Sequence, residues 1–170
     1  IVIDESAAVP TAPPLPLPPP TPIATPTLIR GWRGEYFANP DLAGSPVLVR
    51  VDPSIDFQWQ RGSPAPGVPP DRFSVRWRGR WAFDQGGYRF YALSDDGVRV
   101  WVDGVLVIDR WQDQPATLSS GDLRMSAGEH EVQVAYYERE DEAHIRVWWG
   151  FLGAYPDWKG EYFDNPHLAG

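Results

Sequence analysis

The chain has 170 residues, with 15 basic against 23 acidic side chains for a formal net charge of −8. That balance opposes non-specific binding to nucleic acid or to an anionic membrane surface, because most of the protein would be repelled. Cysteine is absent, which removes disulfide frameworks, thiolate metal sites and cysteine nucleophiles and leaves oxygen donors for any metal.

The length suits one domain of roughly 100 to 150 residues plus ends. Nine tryptophans and seven tyrosines within an aromatic content of 14% favour pleated strands over a helical bundle. The chain begins at Ile1 without a basic and apolar leader and has no apolar run near 18 residues, so it reads as a piece of a larger protein.

Residues 1–30 hold nine of the 19 prolines, from Pro10 to Pro26. They predict an extended, Pro-rich N-terminal linker in polyproline conformation, of the kind that joins extracellular modules. Next comes Gly31-Trp32-Arg33-Gly34-Glu35-Tyr36-Phe37-Ala38-Asn39-Pro40-Asp41-Leu42-Ala43-Gly44, which returns 126 residues later as Asp157 to Gly170 with ten of 14 positions identical. One domain length separates the copies, not the 20 to 50 residues of a solenoid. The expected organisation is a domain over 31–153, with 154–170 a linker and the first strand of a second, truncated tandem repeat. A first strand without its sandwich has unmet hydrogen bonds, so self-association through the 157–170 strand is expected.

Further along, Phe73 to Trp81 alternates, with Arg76, Arg78 and Arg80 on one face and Val75 and Trp77 on the other. This is a strand with a wet side rather than a stacking platform for single-stranded nucleic acid. Tyr88 to Leu93 predicts a strand that runs into Ser94-Asp95-Asp96-Gly97. Val98 to Val102 follows, and Asp103-Gly104 is a two-residue hairpin turn into Val105 to Asp109. Near the end, Glu131 to Tyr137 and Ala143 to Trp149 are expected to pair with each other, with Val132, Val134 and Tyr136 inward opposite Ile145, Val147 and Trp149. No stretch keeps a 3.6-residue apolar period, so the predicted class is all-β, an antiparallel two-sheet β-sandwich.

The run from Tyr88 through Ser94-Asp95-Asp96-Gly97 to Asp103-Gly104 resembles the domain family named after anthrax protective antigen, the PA-fourteen domain. Gly34-Glu35-Tyr36-Phe37, Phe73 to Gly79, Ala127-Gly128 and Tyr136-Tyr137-Glu138 match in the same order. The resemblance implies a β-sandwich found attached to glycosidases, proteases, toxins and adhesins, often in carbohydrate recognition. In the yeast adhesin branch the paired aspartates form a cis peptide and bind a calcium ion that also holds sugar hydroxyls. Asp95 and Asp96 match that pair.

The same residues also suit a plain turn, with aspartate capping backbone amides and Gly97 supplying positive φ. The second half of the implied site is the loop after the penultimate strand, Glu138-Arg139-Glu140-Asp141-Glu142. There the adhesin pattern has an asparagine, and this sequence has none between Asn39 and Asn165. A glutamate supplies the same oxygen with extra charge. The expected calcium ligands are therefore Asp95, Asp96, Glu138, Glu140 and Asp141, although a solvated acidic loop is an equally simple reading of Arg139 to Glu142.

Catalysis finds little support. His130, His144 and His167 are the only imidazoles, and no nucleophile elbow or phosphate-cradling loop occurs. Two of Asp95, Glu138 and Asp141 could serve as a glycosidase pair if they converge in space, but acids gathered by calcium look the same in sequence. The expectation is a non-catalytic, secreted or cell-surface module that binds a glycan or cell-surface polysaccharide with calcium as cofactor. The alternatives are a structural or interaction spacer in a tandem array, or an accessory domain of a larger secreted enzyme.

Overall fold

In the computed structural model, which describes residues 31–153, ten strands form and no helix occurs among the described residues. They are β1 (Trp32–Phe37), β2 (Leu48–Asp52), β3 (Asp56–Gln60), β4 (Phe73–Phe83), β5 (Gly86–Asp95), β6 (Gly97–Val102), β7 (Val105–Arg110), β8 (Thr117–Met125), β9 (Gly128–Glu138) and β10 (Ala143–Gly153). Alternation of more buried and more exposed side chains runs along β2, β3 and much of β5 and β8, whereas β1 and the end of β9 are buried on both faces. Two antiparallel sheets pack as a sandwich, one ordered β2-β1-β4-β9-β6-β7 and the other β3-β10-β5-β8. The expected all-β sandwich is what forms. The proline-rich segment and the repeated motif at 157–170 lie outside the described residues.

Two local expectations meet the structure differently. Asp103 and Gly104 both take positive φ, 47° and 80°, and join β6 to β7 as a tight hairpin with Val102 opposite Val105. The pairing of Glu131–Tyr137 with Ala143–Trp149 is corrected. β9 lies between β4 and β6 of one sheet, and β10 lies between β3 and β5 of the other. The short acidic loop therefore crosses from sheet to sheet. Sequence neighbours pair in hairpins more often than not, but here each strand has both edges filled by longer-range partners, β9 by β4 from Phe73 to Phe83.

The core is aromatic and has a buried carboxylate at its centre. Trp77 meets the rings of Tyr36, Phe57 and Tyr136 at 6.0, 5.9 and 6.4 Å. Beside it, Asp52 accepts hydrogen bonds from the Tyr36 hydroxyl (2.7 Å), the Trp77 indole N–H (2.8 Å) and Arg50 Nε (2.7 Å). This network explains Gly34 in the Gly-Glu-Tyr-Phe motif, since a Cβ there would lie 2.6 Å from Asp52 Oδ2 and 2.9 Å from Trp77 Nε1. The neighbouring Glu35 is held by Arg33 and Arg76, and Arg76 also lies over the Phe37 ring. Of the β4 arginines, Arg76 thus serves a carboxylate and a ring, and Arg78 donates to Gln133 Oε1 at 3.0 Å.

Removing the Asp52 carboxylate leaves two buried donors and a guanidinium without their acceptor. Asp52→Ala should cost about 3–5 kcal/mol in urea denaturation, and Arg50→Met, at a partly exposed position, distinctly less.

A second carboxylate ties the β6–β7 hairpin to the start of β9. Asp103 accepts from His130 Nδ1 and from the Glu131 backbone N–H (2.9 Å). The hydrogen bond to Asp103 is the main cause that raises the His130 pKa, and the same bond lowers that of Asp103. A raised imidazole contributes stability that is fully present below its ordinary pKa of about 6.5 and is lost as pH rises through the folded value. Asp103→Asn should therefore lose more stability at about pH 5.5 than at about pH 8.5, as read from paired thermal melts.

Candidate functional site

The chain changes sheets between β5 and β6, and it does so through Ser94, Asp95, Asp96 and Gly97. The Asp95–Asp96 peptide bond is cis. Gly97 is required by close approach rather than by positive φ, because a Cβ there would lie 2.1 Å from Tyr137 Cε1. The turn thus rests directly on the end of β9, where Glu138 follows Tyr137. One carboxylate oxygen from each of Asp95, Asp96 and Glu138 lies within 4.8 Å of the other two.

Neighbouring groups fix the orientation of each acid. Asp96 Oδ1 accepts from the Gln114 backbone N–H and its Oδ2 from the Arg139 backbone N–H, both at 2.9 Å. Ser94 Oγ donates to the Asp96 carbonyl at 2.8 Å, and the Gln114 side-chain amide reaches the same carbonyl at 3.2 Å. The Tyr136 hydroxyl lies against the Asp95 carbonyl and within 3.1 Å of Glu138 Oε2. Glu138 has no exposed surface, and its Oε1 has no hydrogen-bond partner.

Electrostatics follow from this crowding. Burial, then the Asp96 charge, pushes the Glu138 carboxyl up to about 8, and burial followed by the Asp96 charge also raises Asp95. Three acids at such distances repel unless a proton or a cation lies among them. The geometry is compatible with calcium: oxygens at about 2.4 Å from one ion are at most about 4.8 Å apart, and the three carboxylate oxygens lie within that limit.

Glu140 and Asp141 stand apart from this cluster. Their side chains are 67% and 77% exposed and pair with Arg72 (3.5 Å) and Arg61 (3.3 Å). Both line the rim of an open cavity of about 390 Å³ that also reaches Asp95, Asp96 and Gln114. Of the five acids singled out from the sequence, the fold gathers three and leaves two on the rim.

Gln114, Ser94 and Tyr136 were not assigned a role from sequence. Gln114 belongs to the β7–β8 connection, 18 residues from Asp96, and no local pattern links them. Tyr136 sits in the Tyr136-Tyr137-Glu138 motif, where β-alternation gives it an inward ring but not its hydroxyl partners. On the other side of Asp96, Trp111 packs edge-on to Tyr137 at 4.7 Å and, with Asp113 and Arg139, lines a second cavity of about 330 Å³.

The fold and this acidic turn define a class: a two-sheet sandwich whose sheet-to-sheet crossover carries paired aspartates against a buried glutamate. A model of the PA14 domain matches residues 30–157, and the chain belongs to the PA14 domain family. It is 41% identical over 121 residues to the anti-sigma-I factor RsgI3 of Acetivibrio thermocellus, covering 70% of this chain and 19% of that protein's length. Among solved structures it is similar to an anti-sigma factor domain-containing protein, at 38% identity and a TM-score of 0.69 over 74% of this chain and 44% of the other. It also shares its fold with the PA14 sugar-binding domain of an RTX adhesin, with a TM-score of 0.65 at 20% identity over 75% and 94% of the two chains. No helix among the described residues is long and apolar enough to cross a membrane.

Glu138 gives the site a sign that can be checked. A carboxyl whose folded pKa lies above its ordinary value contributes stability that is present below about pH 4.5 and lost as pH rises through about 8. In chelator, the wild-type melting temperature should fall across that window. Glu138→Gln, which cannot ionise, should flatten the fall and melt higher than wild type at about pH 9.

Proposed function

We propose that this domain is a non-catalytic carbohydrate-binding module in which a calcium ion, held by Asp95, Asp96 and Glu138, presents open coordination positions to sugar hydroxyls. The observation that carries this reading is the convergence of three carboxylate oxygens within 4.8 Å, one of them from Glu138, which is fully buried and whose Oε1 has no hydrogen-bond partner. Calcium takes six to eight oxygens, so three carboxylates leave positions on the side of the 390 Å³ cavity, where a pair of hydroxyls can enter. Glu140 and Asp141, on that cavity's rim, would contact the glycan or its water rather than the ion. The RTX adhesin domain of the same fold, described as sugar-binding, supports the ligand class.

Binding is a better account of these acids than hydrolysis. Glycoside cleavage needs two carboxyls that reach the scissile bond from opposite sides, and Glu138 has no exposed atom with which to do so. A buried carboxylate suits a metal ligand.

The domain would work outside the cell, secreted or at the surface, as one part of a larger protein. The relatives named as anti-sigma factors support that second element, since the matched region is a fraction of each. In such a protein the module would supply glycan recognition to neighbouring domains.

Calcium should bind at about 10⁻⁴ to 10⁻³ M, as in other extracellular modules. Ten times Kd should then stabilise the fold by about 1.4 kcal/mol. Asp95→Ala or Asp96→Ala should abolish both the calorimetric heat and the thermal shift, and glycan-array signals should vanish in chelator. A melting curve insensitive to millimolar calcium and to chelator would overturn the metal, and calcium-independent array signals would overturn its role in sugar binding.

A further inference from the structure

At the opposite end of the sandwich from the acids lies a second feature that the calcium reading does not use. Trp32, Trp81, Trp148 and Trp149 line a cleft of about 260 Å³, closed by Pro53, Ser54 and Ile55. Ring centroids of Trp32, Trp81 and Trp149 lie 5.4 to 6.2 Å apart. The Trp81 indole Nε1 is buried without a hydrogen-bond partner. A Cβ built on Gly79 would lie 2.9 Å from that nitrogen and 3.2 Å from the Gly31 carbonyl. The unpartnered N–H therefore sits beside the point at which the chain enters the domain.

The chain that arrives there has matching chemistry. Pro10, Pro13, Pro16, Pro19 and Pro22 recur at every third residue. Polyproline II has three residues per turn, so these five rings would form one continuous edge of such a helix. No residue from Ser6 to Ile29 carries a charge, so nothing in that stretch opposes an apolar cleft. Pro22 precedes Gly31 by nine residues, about 30 Å of extended chain, which is enough to fold back onto the cleft that begins at Trp32.

A glycan fits this cleft less well. A sugar ring brings several hydroxyls that each need a partner once desolvated, and the lining offers the Ser54 hydroxyl and four indole N–H donors but no carboxylate or amide to fix them. A polyproline segment brings rings that pack on indoles and carbonyls that accept from an N–H, and its prolines bring no backbone donor of their own.

We propose that the proline-rich segment of this same chain docks in the Trp32–Trp81–Trp148–Trp149 cleft, with one of its carbonyls accepting from Trp81 Nε1. Tethering one residue from the cleft makes the contact intramolecular, so its effective concentration is high. The segment then lies along the domain instead of projecting away as a free spacer.

Because the chain has no cysteine, a single nitroxide can be placed on the full chain through Ala12→Cys, 19 residues before Gly31 and so up to about 60 Å from the cleft when the segment is extended and free. Paramagnetic bleaching is then read on the indole N–H signals of Trp32, Trp81 and Trp149. Trp111 serves as the distant reference: it packs on Tyr137, seven positions along β9 from His130, the register partner of Trp81, or about 23 Å away. The cleft indoles should lose intensity relative to Trp111, independently of dilution. Replacing Pro10, Pro13, Pro16, Pro19 and Pro22 together by serine, outside the sandwich, should restore those signals and shift the Trp81 indole resonance. Cleft indoles bleached no more than Trp111, or bleaching that survives the serine replacements, would overturn the proposal. Bleaching that disappears on dilution would assign the cleft to a second copy. A Trp81 shift produced by cellohexaose but not by the serine replacements would assign it to glycan.

Discussion

Two sheets face one another across a packed core, and the chain must pass between them without leaving polar backbone unsatisfied. That constraint shapes the β5–β6 crossover, where Ser94 to Gly97 carry the chain from one sheet to the other. Ser94 ties down the Asp96 carbonyl, the Asp96 carboxylate takes backbone N–H groups from two other loops, and Gly97 lets the Tyr137 ring close over the turn. The acids are thus structural before they are functional. Their side chains satisfy loops that would otherwise have unpaired donors, and in doing so they are aimed at Glu138.

The same logic separates the two buried carboxylates. Asp52 is also enclosed, but it accepts from a hydroxyl, an indole N–H and a guanidinium, so its charge is compensated within the core. Glu138 has a single tyrosine donor on one oxygen and none on the other, and two further acids beside it. A buried charge persists only where something pairs with it. Asp52 is complete as it stands, whereas Glu138 calls for a proton or a cation, and that difference identifies which buried acid belongs to a site.

The sandwich also has two chemically different ends. Strand polarity places the acidic crossover, Glu138 and the Trp111 cavity at one end, and Trp32, Trp81 and Trp149 at the other. Glycan recognition at the acidic end and attachment of the proline-rich segment at the aromatic end would keep the ligand site clear of the tether.

Much of this was legible in the chain. Alternation along β4, β6 and β9 and the Asp103-Gly104 turn specify strands and a hairpin because side-chain direction and positive φ are local properties. The Asp95-Asp96 pair and Glu138 were legible through the resemblance to the PA14 family, whose motifs are short local runs of residues. What only the tertiary structure decided was which strands share a sheet. β9 and β10 are separated by four residues yet belong to different sheets, since partner choice depends on filling both edges of each strand and not on proximity in sequence. That choice placed Gln114 and Tyr136 around the aspartates, buried Glu138 and left Glu140 and Asp141 exposed against arginines. A run of acidic residues fixes how much charge a loop carries, but burial and hydrogen-bond partners come from segments far along the chain, and these determine which of the charges can hold an ion.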